Sequence, residues 1–272
     1  MPDLVQYQHV GSVAIITINR PEKRNALSRA LIAALSAAFE RAADDPLARS
    51  VVLTGNGPAF CAGMDLDELR GTLTSATVST PSPSGENLDE AGMVWDDAQK
   101  LSALYERIFT LPKPTIAAVN GAAVAGGAGL LTVCDLAISV PTAKFGYPEV
   151  RRGLVAAMVM PHLLRHVGER TARLMLLTGA IFDAAFALQC GLINEVVETS
   201  KLLETAIGYC KQMAEGGPKA IATTKDLLRR CSRQALSIDD LAKASAEPRL
   251  TDECRGGLEA FFANKPLPWA EG

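Results

Sequence analysis

The sequence predicts an α/β core followed by a region made almost wholly of helices. Before Met158, short apolar runs of strand length alternate with longer segments whose apolar residues recur at helical spacing. From Met158 onward the segments have helical character, and glycines, Asp183 or Gly216-Gly217-Pro218 separate them. This order favours an α/β fold with a helical C-terminal region. We therefore divide the 272 residues into a core, 1–198, and a helical region, 199–272.

Each element follows from its apolar pattern. The predicted strands are 12–19, 50–55, 114–119 and 136–140. Four helices are predicted in the core. The first begins near Asn25 and ends near Asp44, the second and third cover 64–70 and 95–111, and the fourth runs from the glycines after Asn120 to Asp135. The later predicted helices are 158–167, 169–178, 183–190, 199–214 and 217–232. Between 71 and 92, the stretch 72–85 is rich in Ser, Thr and Pro, and we predict a mobile loop there. It is either a lid beside a site or a surface insertion.

Composition excludes several classes of function. A formal net charge of −3 provides no basic field, so we expect neither nucleic acid nor membrane as a partner. Six scattered cysteines form no C-x-x-C pair, which indicates reduced core residues. The first residues lack a signal-peptide pattern, and no apolar stretch is long enough to span a bilayer, so we expect a cytoplasmic protein. Three dispersed histidines predict no metal site.

Two glycine-bearing turns are the strongest candidates for a site. The run 120–130 follows an apolar strand and opens an apolar helix, and the run 60–66 has a similar position after the second strand. Such a turn places free backbone N–H groups and the positive end of a helix dipole beside a pocket. The alternative is that both runs are tight strand-to-helix turns without a ligand.

Six segments in the same order resemble the crotonase (enoyl-CoA hydratase/isomerase) superfamily. They are 20–27 (RPEKRNAL), 60–66 (FCAGMDL), 113–121 (KPTIAAVNG), 134–138 (CDLAI), 145–149 (FGYPE) and 191–197 (GLINEVV). The resemblance implies a crotonase-like spiral of ββα repeats and a coenzyme A thioester as substrate. It implies no cofactor, because coenzyme A belongs to the substrate. It also implies a homotrimer or homohexamer in which 199–272 mediates oligomerisation.

The resemblance assigns three catalytic positions. It places an oxyanion hole on the N–H groups of Met64 and Gly126, where two donors would stabilise the enolate oxygen of a thioester. It aligns Glu149 with a catalytic glutamate that moves the proton at the carbon next to the thioester carbonyl. The alternative for Glu149 is a glutamate in an N-terminal helical turn, or one paired with Arg151 or Arg152.

The resemblance also assigns positions along the coenzyme. Lys23 and Arg24 would meet its phosphates, although they could also be solvated surface charges. Positions that would line the adenine and pantetheine path are Ala26, Ala62, Asp65 and Leu66. Asp65 could instead cap the helix that begins there. Phe261 lies in a segment that would reach coenzyme A on a neighbouring subunit, and the acyl pocket would be shaped by the loop 72–85 and the late helices.

One departure leaves the reaction open. Family hydratases with two catalytic carboxylates carry a glutamate where this chain has Gly129. The segments around Gly129 and Glu149 nevertheless resemble a subgroup of branched unsaturated acyl-CoA hydratases, in which Asp67 or Glu68 could hold the water here. Both could equally be exposed helix acids. We expect reversible addition of water to a 2-enoyl-CoA; the alternatives are a Δ3,Δ2-enoyl-CoA isomerase that uses Glu149 alone and a catalytically weak acyl-CoA-binding protein.

Overall fold

Two parallel-rich sheets and the helices packed against them form the core. The structure, a computed structural model, describes residues 3–74, 80–81, 87–88, 90–233, 252–266 and 268–269. The strands are β1 (Val5–Val10), β2 (Val13–Ile18), β3 (Ser50–Gly55), β4 (Ala59–Cys61), β5 (Thr80–Pro81), β6 (Asn87–Leu88), β7 (Thr115–Val119), β8 (Ala122–Val124), β9 (Leu136–Ser139), β10 (Lys144–Gly146), β11 (Ile181–Asp183) and β12 (Glu195–Val196). The α-helices are α1 (Arg29–Asp44), α2 (Leu66–Thr74), α3 (Glu90–Thr110), α4 (Gly126–Thr132), α5 (Met160–Thr178), α6 (Ala184–Gln189), α7 (Leu202–Ala214), α8 (Pro218–Arg233) and α9 (Asp252–Ala263).

The connections between strands build a spiral. One sheet has the order β1-β2-β3-β7-β9-β12, and the other has the order β11-β10-β8-β4. Each of the successive pairs β3/β4, β7/β8 and β9/β10 contributes its first strand to the larger sheet and its second strand to the smaller one. Neighbours are parallel except for β1 with β2 and β10 with β11. The predicted α/β spiral of ββα repeats is therefore confirmed.

The sequence explains why the central elements form. Strands β2, β3 and β7 are buried apolar runs, as expected for parallel strands covered on both faces. Helix α1 begins after Ser28, whose side chain accepts a hydrogen bond from the Leu31 N–H at 3.2 Å. Its buried residues recur at helical spacing: Leu31, Ile32, Leu35, Ala38, Phe39 and Ala42. Of the six predicted core cysteines, Cys61, Cys134 and Cys210 are buried, whereas Cys190 and Cys254 are partly exposed and Cys231 is exposed.

Several predicted bounds need correction. Strands β1, β4, β8 and β10 have no counterpart among the predicted strands. The helical character expected after Met158 has two exceptions among the described residues, the short strands β11 and β12, which pair with β10 and β9. Helix α2 begins at Leu66 rather than Met64, since Met64 still forms a bridge with Leu27. Helix α3 begins at Glu90, and α4 ends at Thr132, three residues before the predicted end.

The predicted loop 72–85 contains regular structure where it is described. Helix α2 continues to Thr74, and β5 pairs antiparallel with β6. Residues 75–79, 82–86 and 89 lie outside the described residues, and the question of a lid over 71–92 falls partly on them.

The helical region packs directly on the core. Helix α7 contacts β3 and β7. The guanidinium of Arg49, just before β3, donates to the carbonyls of Ala214, Gly216 and Trp269 at 2.9–3.2 Å. Lys225 of α8 bonds the carboxylate of Asp135 at 2.6 Å. The division at 198/199 stays a prediction.

Candidate active site

The two glycine-bearing turns lie against each other. A Cβ on Gly63 would lie 2.7 Å from the Ala125 Cβ and 2.8 Å from the Val124 oxygen. A Cβ on Gly127 would lie only 2.1 Å from the backbone oxygen of Cys61. Glycine is required at positions 63 and 127 because the backbone there lies so close to the other turn that a Cβ atom has no room. The sequence therefore brings the turns after β4 and β8 into one site.

Backbone strain orients the donor at the second turn. Ala125 has φ 53° and ψ −128°, a conformation that non-glycine residues rarely adopt. Its own N–H bonds the Gly146 oxygen at 2.8 Å, and the chain then turns into α4 at Gly126. None of the hydrogen bonds found among the described residues uses the N–H of Met64 or of Gly126. Two unused donors from adjacent turns are what an oxyanion hole requires.

Both donors border a cavity of about 270 Å³. Its walls are mainly apolar and come from the first turn, α2, α3 between Val94 and Tyr105, the second turn and the segment 148–159. The charged residues in the lining are Asp97, Glu149 and Arg152. The carboxylate of Asp97 is paired with the guanidinium of Arg29 at 2.6 Å, so it is held at the rim by a charge partner. Met158 and Val159, at the start of the predicted segment 158–167, line the cavity, whereas no residue described after Val159 does.

Glu149 is the carboxylate that lines this cavity without an ion pair to any residue that the structure describes. It lies in the short 3₁₀ helix Pro148–Arg152, and Tyr147 and Pro148 before it fix the direction in which it leaves β10. Its Oε2 is buried and has no hydrogen-bond partner among the described residues. Burial raises the pKa of Glu149 above its ordinary value, and the positive charge of Arg152 partly opposes that shift. Among the ion pairs of the described residues, none joins Glu149 to Arg151 or Arg152. The other part of that alternative holds, because Glu149 lies in the first turn of this helix.

Tyr105 occupies the space beside Gly129. A Cβ on Gly129 would lie 2.5 Å from the Tyr105 Oη, 2.7 Å from its Cζ and 2.6 Å from the Val159 Cγ1. The Tyr105 side chain is buried, lines the cavity and donates a hydrogen bond to the Gly126 oxygen at 2.7 Å. A glutamate at position 129 would therefore collide with this tyrosine. The Tyr105 side chain of α3 therefore occupies the space that a side chain at position 129 would need.

The candidate water-holding acids do not reach the cavity. Asp67 pairs with Lys23 at 2.7 Å, and a Glu68 oxygen accepts the backbone N–H of Arg29 at 2.8 Å. Neither residue belongs to the cavity lining. The structure favours their interpretation as acids of the first turn of α2, where the helix dipole stabilises negative charge.

The residues assigned to coenzyme A are adjacent in space. The backbone of 24–27 pairs with the first turn: the Ala62 N–H donates to Arg24, Leu27 donates to Gly63, and Asp65 donates to Leu27, at 2.7–3.0 Å. This pairing brings together the segments with the predicted residues Lys23, Arg24, Ala26, Ala62, Asp65 and Leu66. Ala62 and Leu66 also line the cavity. No ligand contact tests these roles, so they stay predictions.

Asp65 and Lys23, two of the residues assigned to coenzyme A, already have hydrogen-bond or ion-pair partners within the protein. Asp65 accepts the N–H groups of Asp67 and Glu68 at 3.0 and 3.3 Å and pairs with Arg20 at 2.5 Å, and its side chain is buried. This geometry supports its interpretation as a helix cap. Lys23 is exposed but paired with Asp67, so a phosphate would have to share or replace that partner. Phe261 lies on α9, and the surroundings of its side chain are outside the described part of the structure.

Sequence reasoning missed three residues of the site. Tyr105 is one of several residues at core spacing on α3, and no sequence motif distinguishes it. Asp97 and Arg152 resemble ordinary surface charges in the sequence. Only the packing of α3 and the 148–159 segment around the turns makes these residues part of the cavity.

Comparison with known proteins defines the class to which this fold and site belong. The family model for enoyl-CoA hydratase/isomerase matches residues 8–272. A Thermus thermophilus protein with the provisional name enoyl-CoA hydratase is 39% identical over 262 residues, which cover 94% of this chain and 96% of that protein. The 2,3-dehydroadipyl-CoA hydratase of Escherichia coli is 34% identical over 260 residues, 93% of each chain. An enoyl-CoA hydratase/isomerase structure from Marinobacter aquaeolei superposes with a TM-score of 0.87 at 31% identity, covering 98% and 99% of the two chains.

The chain belongs to the enoyl-CoA hydratase/isomerase family, the crotonase superfamily. Members of this family act on acyl-CoA thioesters. Within the described ranges, no helix combines the length and apolar character needed to cross a membrane. The same ranges contain no group of three side chains suited to hold a metal ion.

Proposed function

We propose that the protein is an enoyl-CoA hydratase, which adds water reversibly across the C2=C3 bond of a 2-enoyl-CoA thioester. The observation that supports this most is the position of Glu149. It is a desolvated carboxylate without an ion pair, in the wall of the same cavity that the unused N–H groups of Met64 and Gly126 border. A proton-transfer group and a pair of oxyanion donors are the two parts that enolate chemistry needs.

Each part has a defined chemical task. When the water oxygen bonds to C3, the π electrons of C2=C3 move toward the thioester oxygen and form an enolate. The N–H groups of Met64 and Gly126 stabilise that oxygen, and the loss of one such donor typically costs about 3–4 kcal/mol. The Glu149 carboxylate takes the water proton and then delivers a proton to C2. The raised pKa of Glu149 suits both halves of this exchange.

The names of the relatives support the same reaction. The proteins from T. thermophilus and E. coli are both named as hydratases, at 39% and 34% identity. The segment 20–27 beside the first turn would hold the coenzyme, with Lys23 and Arg24 near its phosphates, and no further cofactor is needed. The acyl group would occupy the apolar cavity between α2, α3 and the segment 148–159.

The second candidate is a Δ3,Δ2-enoyl-CoA isomerase. One specific observation favours it: Glu149 is the unpaired carboxylate in the lining, and moving one proton between two carbons needs only one base. A third candidate, an acyl-CoA-binding protein with weak catalysis, has the same fold and differs only in turnover.

A product analysis distinguishes these candidates. The purified protein is incubated with crotonyl-CoA and, separately, with 3-hexenoyl-CoA, and the products are measured by mass spectrometry and by the ultraviolet absorbance of the conjugated thioester. We expect crotonyl-CoA to gain the mass of one water. Conversion of 3-hexenoyl-CoA to its conjugated isomer without hydration of crotonyl-CoA would show an isomerase. Binding of both thioesters without any product would show the binding protein.

A further inference from the structure

The space of the missing glutamate is filled by a polar atom. The Tyr105 Oη lies 2.5 Å from the position that a Cβ on Gly129 would take and 3.1 Å from the corresponding position on Gly126. The Cβ positions of two glycines therefore converge on one hydroxyl at the second turn. Gly129 is needed here because any side chain would displace this hydroxyl.

The hydrogen bond to Gly126 fixes how the Tyr105 hydroxyl can act. A phenol has one hydrogen to donate, and that hydrogen goes to the Gly126 oxygen at 2.7 Å. The remaining lone-pair capacity of the oxygen is available to accept a hydrogen bond, and Tyr105 lines the cavity. Burial raises the pKa of Tyr105 well above its ordinary value, and the nearby groups Cys61, Tyr147 and Glu149 add to that shift, which favours the neutral phenol. Its available function is to accept a hydrogen bond from a molecule in the cavity.

We propose that the Tyr105 oxygen positions the water that adds to C3, in place of the absent carboxylate at position 129. This inference rests on the proposed hydration. One of the two hydrogen atoms of the water forms a hydrogen bond to the Tyr105 oxygen and stays on the water oxygen. The other hydrogen passes as a proton to Glu149 while the C3–O bond forms. The C2=C3 electron pair moves to the enolate oxygen at Met64 and Gly126. The same proton then passes from Glu149 to C2, the enolate returns to a thioester, and the net change is the addition of one water.

The Tyr105→Phe variant tests this role because it removes only the oxygen. We expect kcat for hydration of crotonyl-CoA to fall about 10- to 100-fold, because the attacking water is no longer held in position. KM should change little. Exchange of the C2 protons of butyryl-CoA with deuterium from the solvent needs Glu149 and the oxyanion donors but no bound water. We expect that exchange rate to stay within about threefold of wild type.

Tyr209→Phe is the matched control. The Tyr209 hydroxyl donates to Glu195 at 3.0 Å, and Tyr209 does not line the cavity, so both rates should be unchanged. Unchanged hydration in Tyr105→Phe would overturn the inference. An equal fall in hydration and in exchange would also overturn it, because Tyr105 would then only support the second turn.

A binding measurement provides a second test that does not require the Tyr105 variant. In the Glu149→Gln protein, which cannot turn the ligand over, the hydroxyl of 3-hydroxybutyryl-CoA should take the place of the water at Tyr105. We expect this ligand to bind about fivefold more tightly than butyryl-CoA. Equal affinities would contradict the inference. Absence of hydration by the wild-type protein would overturn the proposed function and this inference together, whereas retained hydration in Tyr105→Phe overturns the inference alone.

Discussion

Glu149 and Arg152 lie on the same short helix, and burial and the Arg152 charge shift the pKa of Glu149 in opposite directions. Burial raises the pKa of Glu149, and the Arg152 charge lowers it. The proposed hydration needs the ionised carboxylate in the free enzyme, so the acidic limb of the kcat/KM profile should report this pKa. The limb should lie at higher pH than the ordinary pKa of a glutamate would give.

Substitution of Arg152 should move that limb in a defined direction. Arg152→Gln removes the charge that lowers the pKa of Glu149, so the pKa rises and the acidic limb moves to higher pH. Arg151→Gln is the control, because Arg151 donates to the Thr178 carbonyl at 3.0 Å and does not line the cavity. The profiles are measured from pH 4 to 9 with crotonyl-CoA. A limb that stays in place, or moves to lower pH in Arg152→Gln, would show that Arg152 does not tune Glu149.

Single residues also show where sequence reasoning reaches its limit. Glu149, Met64 and Gly126 are predicted by motif, and the structure brings them to one cavity because each follows a strand of the same spiral. Tyr105 is not predicted, because its role depends on the distance between α3 and the second turn. The strained φ of Ala125 is also invisible in the sequence, since alanine is not the residue that such a turn favours.

At the scale of elements, the contact between β4 and α4 sets the distance between the two N–H groups that we propose as oxyanion donors. Gly127 lies in the first turn of α4, and the Cys61 backbone lies where its Cβ would be. The two turns can stay adjacent only while this position is glycine. The contact therefore has consequences for both stability and activity.

Two helical glycines provide a matched comparison of this contact. Gly127→Ala places a Cβ 2.1 Å from the Cys61 oxygen, and we expect it to lower the free energy of unfolding by about 2–3 kcal/mol. Gly208→Ala on α7 meets nothing within 4 Å and should raise that free energy by about 0.5–1 kcal/mol. Urea denaturation measures both. Equal effects of the two substitutions would refute the close contact of the turns.

The elements themselves were predicted unevenly. The central strands and α1 are clear in the sequence because their buried residues follow the period of the element. The short strands β11 and β12 were missed. Each has only two or three residues, and pairing with β10 and β9 rather than local propensity determines them.

At the scale of the whole molecule, the spiral explains why distant motifs form one site. Successive turns stack β4 beside β8 and β8 beside β10, so the segments that follow these strands converge on the cavity. The ordered motifs predict this arrangement by resemblance, whereas composition and periodicity alone give only an α/β core with a helical region. Trimer or hexamer formation and a cytoplasmic location stay predictions. Exposed apolar residues on one face of α5, Leu174 and Leu177, are consistent with an interface between copies of the chain.

The central claim is that Glu149 performs the proton transfer of hydration, and the most direct test is the kcat/KM of Glu149→Gln with crotonyl-CoA. Glutamine keeps the size of the side chain but cannot exchange a proton, so we expect a fall of at least about 100-fold. Glu169→Gln, which changes an exposed carboxylate paired with Arg173, is the control and should match wild type. A correctly folded Glu149→Gln protein with kcat/KM within about tenfold of wild type would contradict the account.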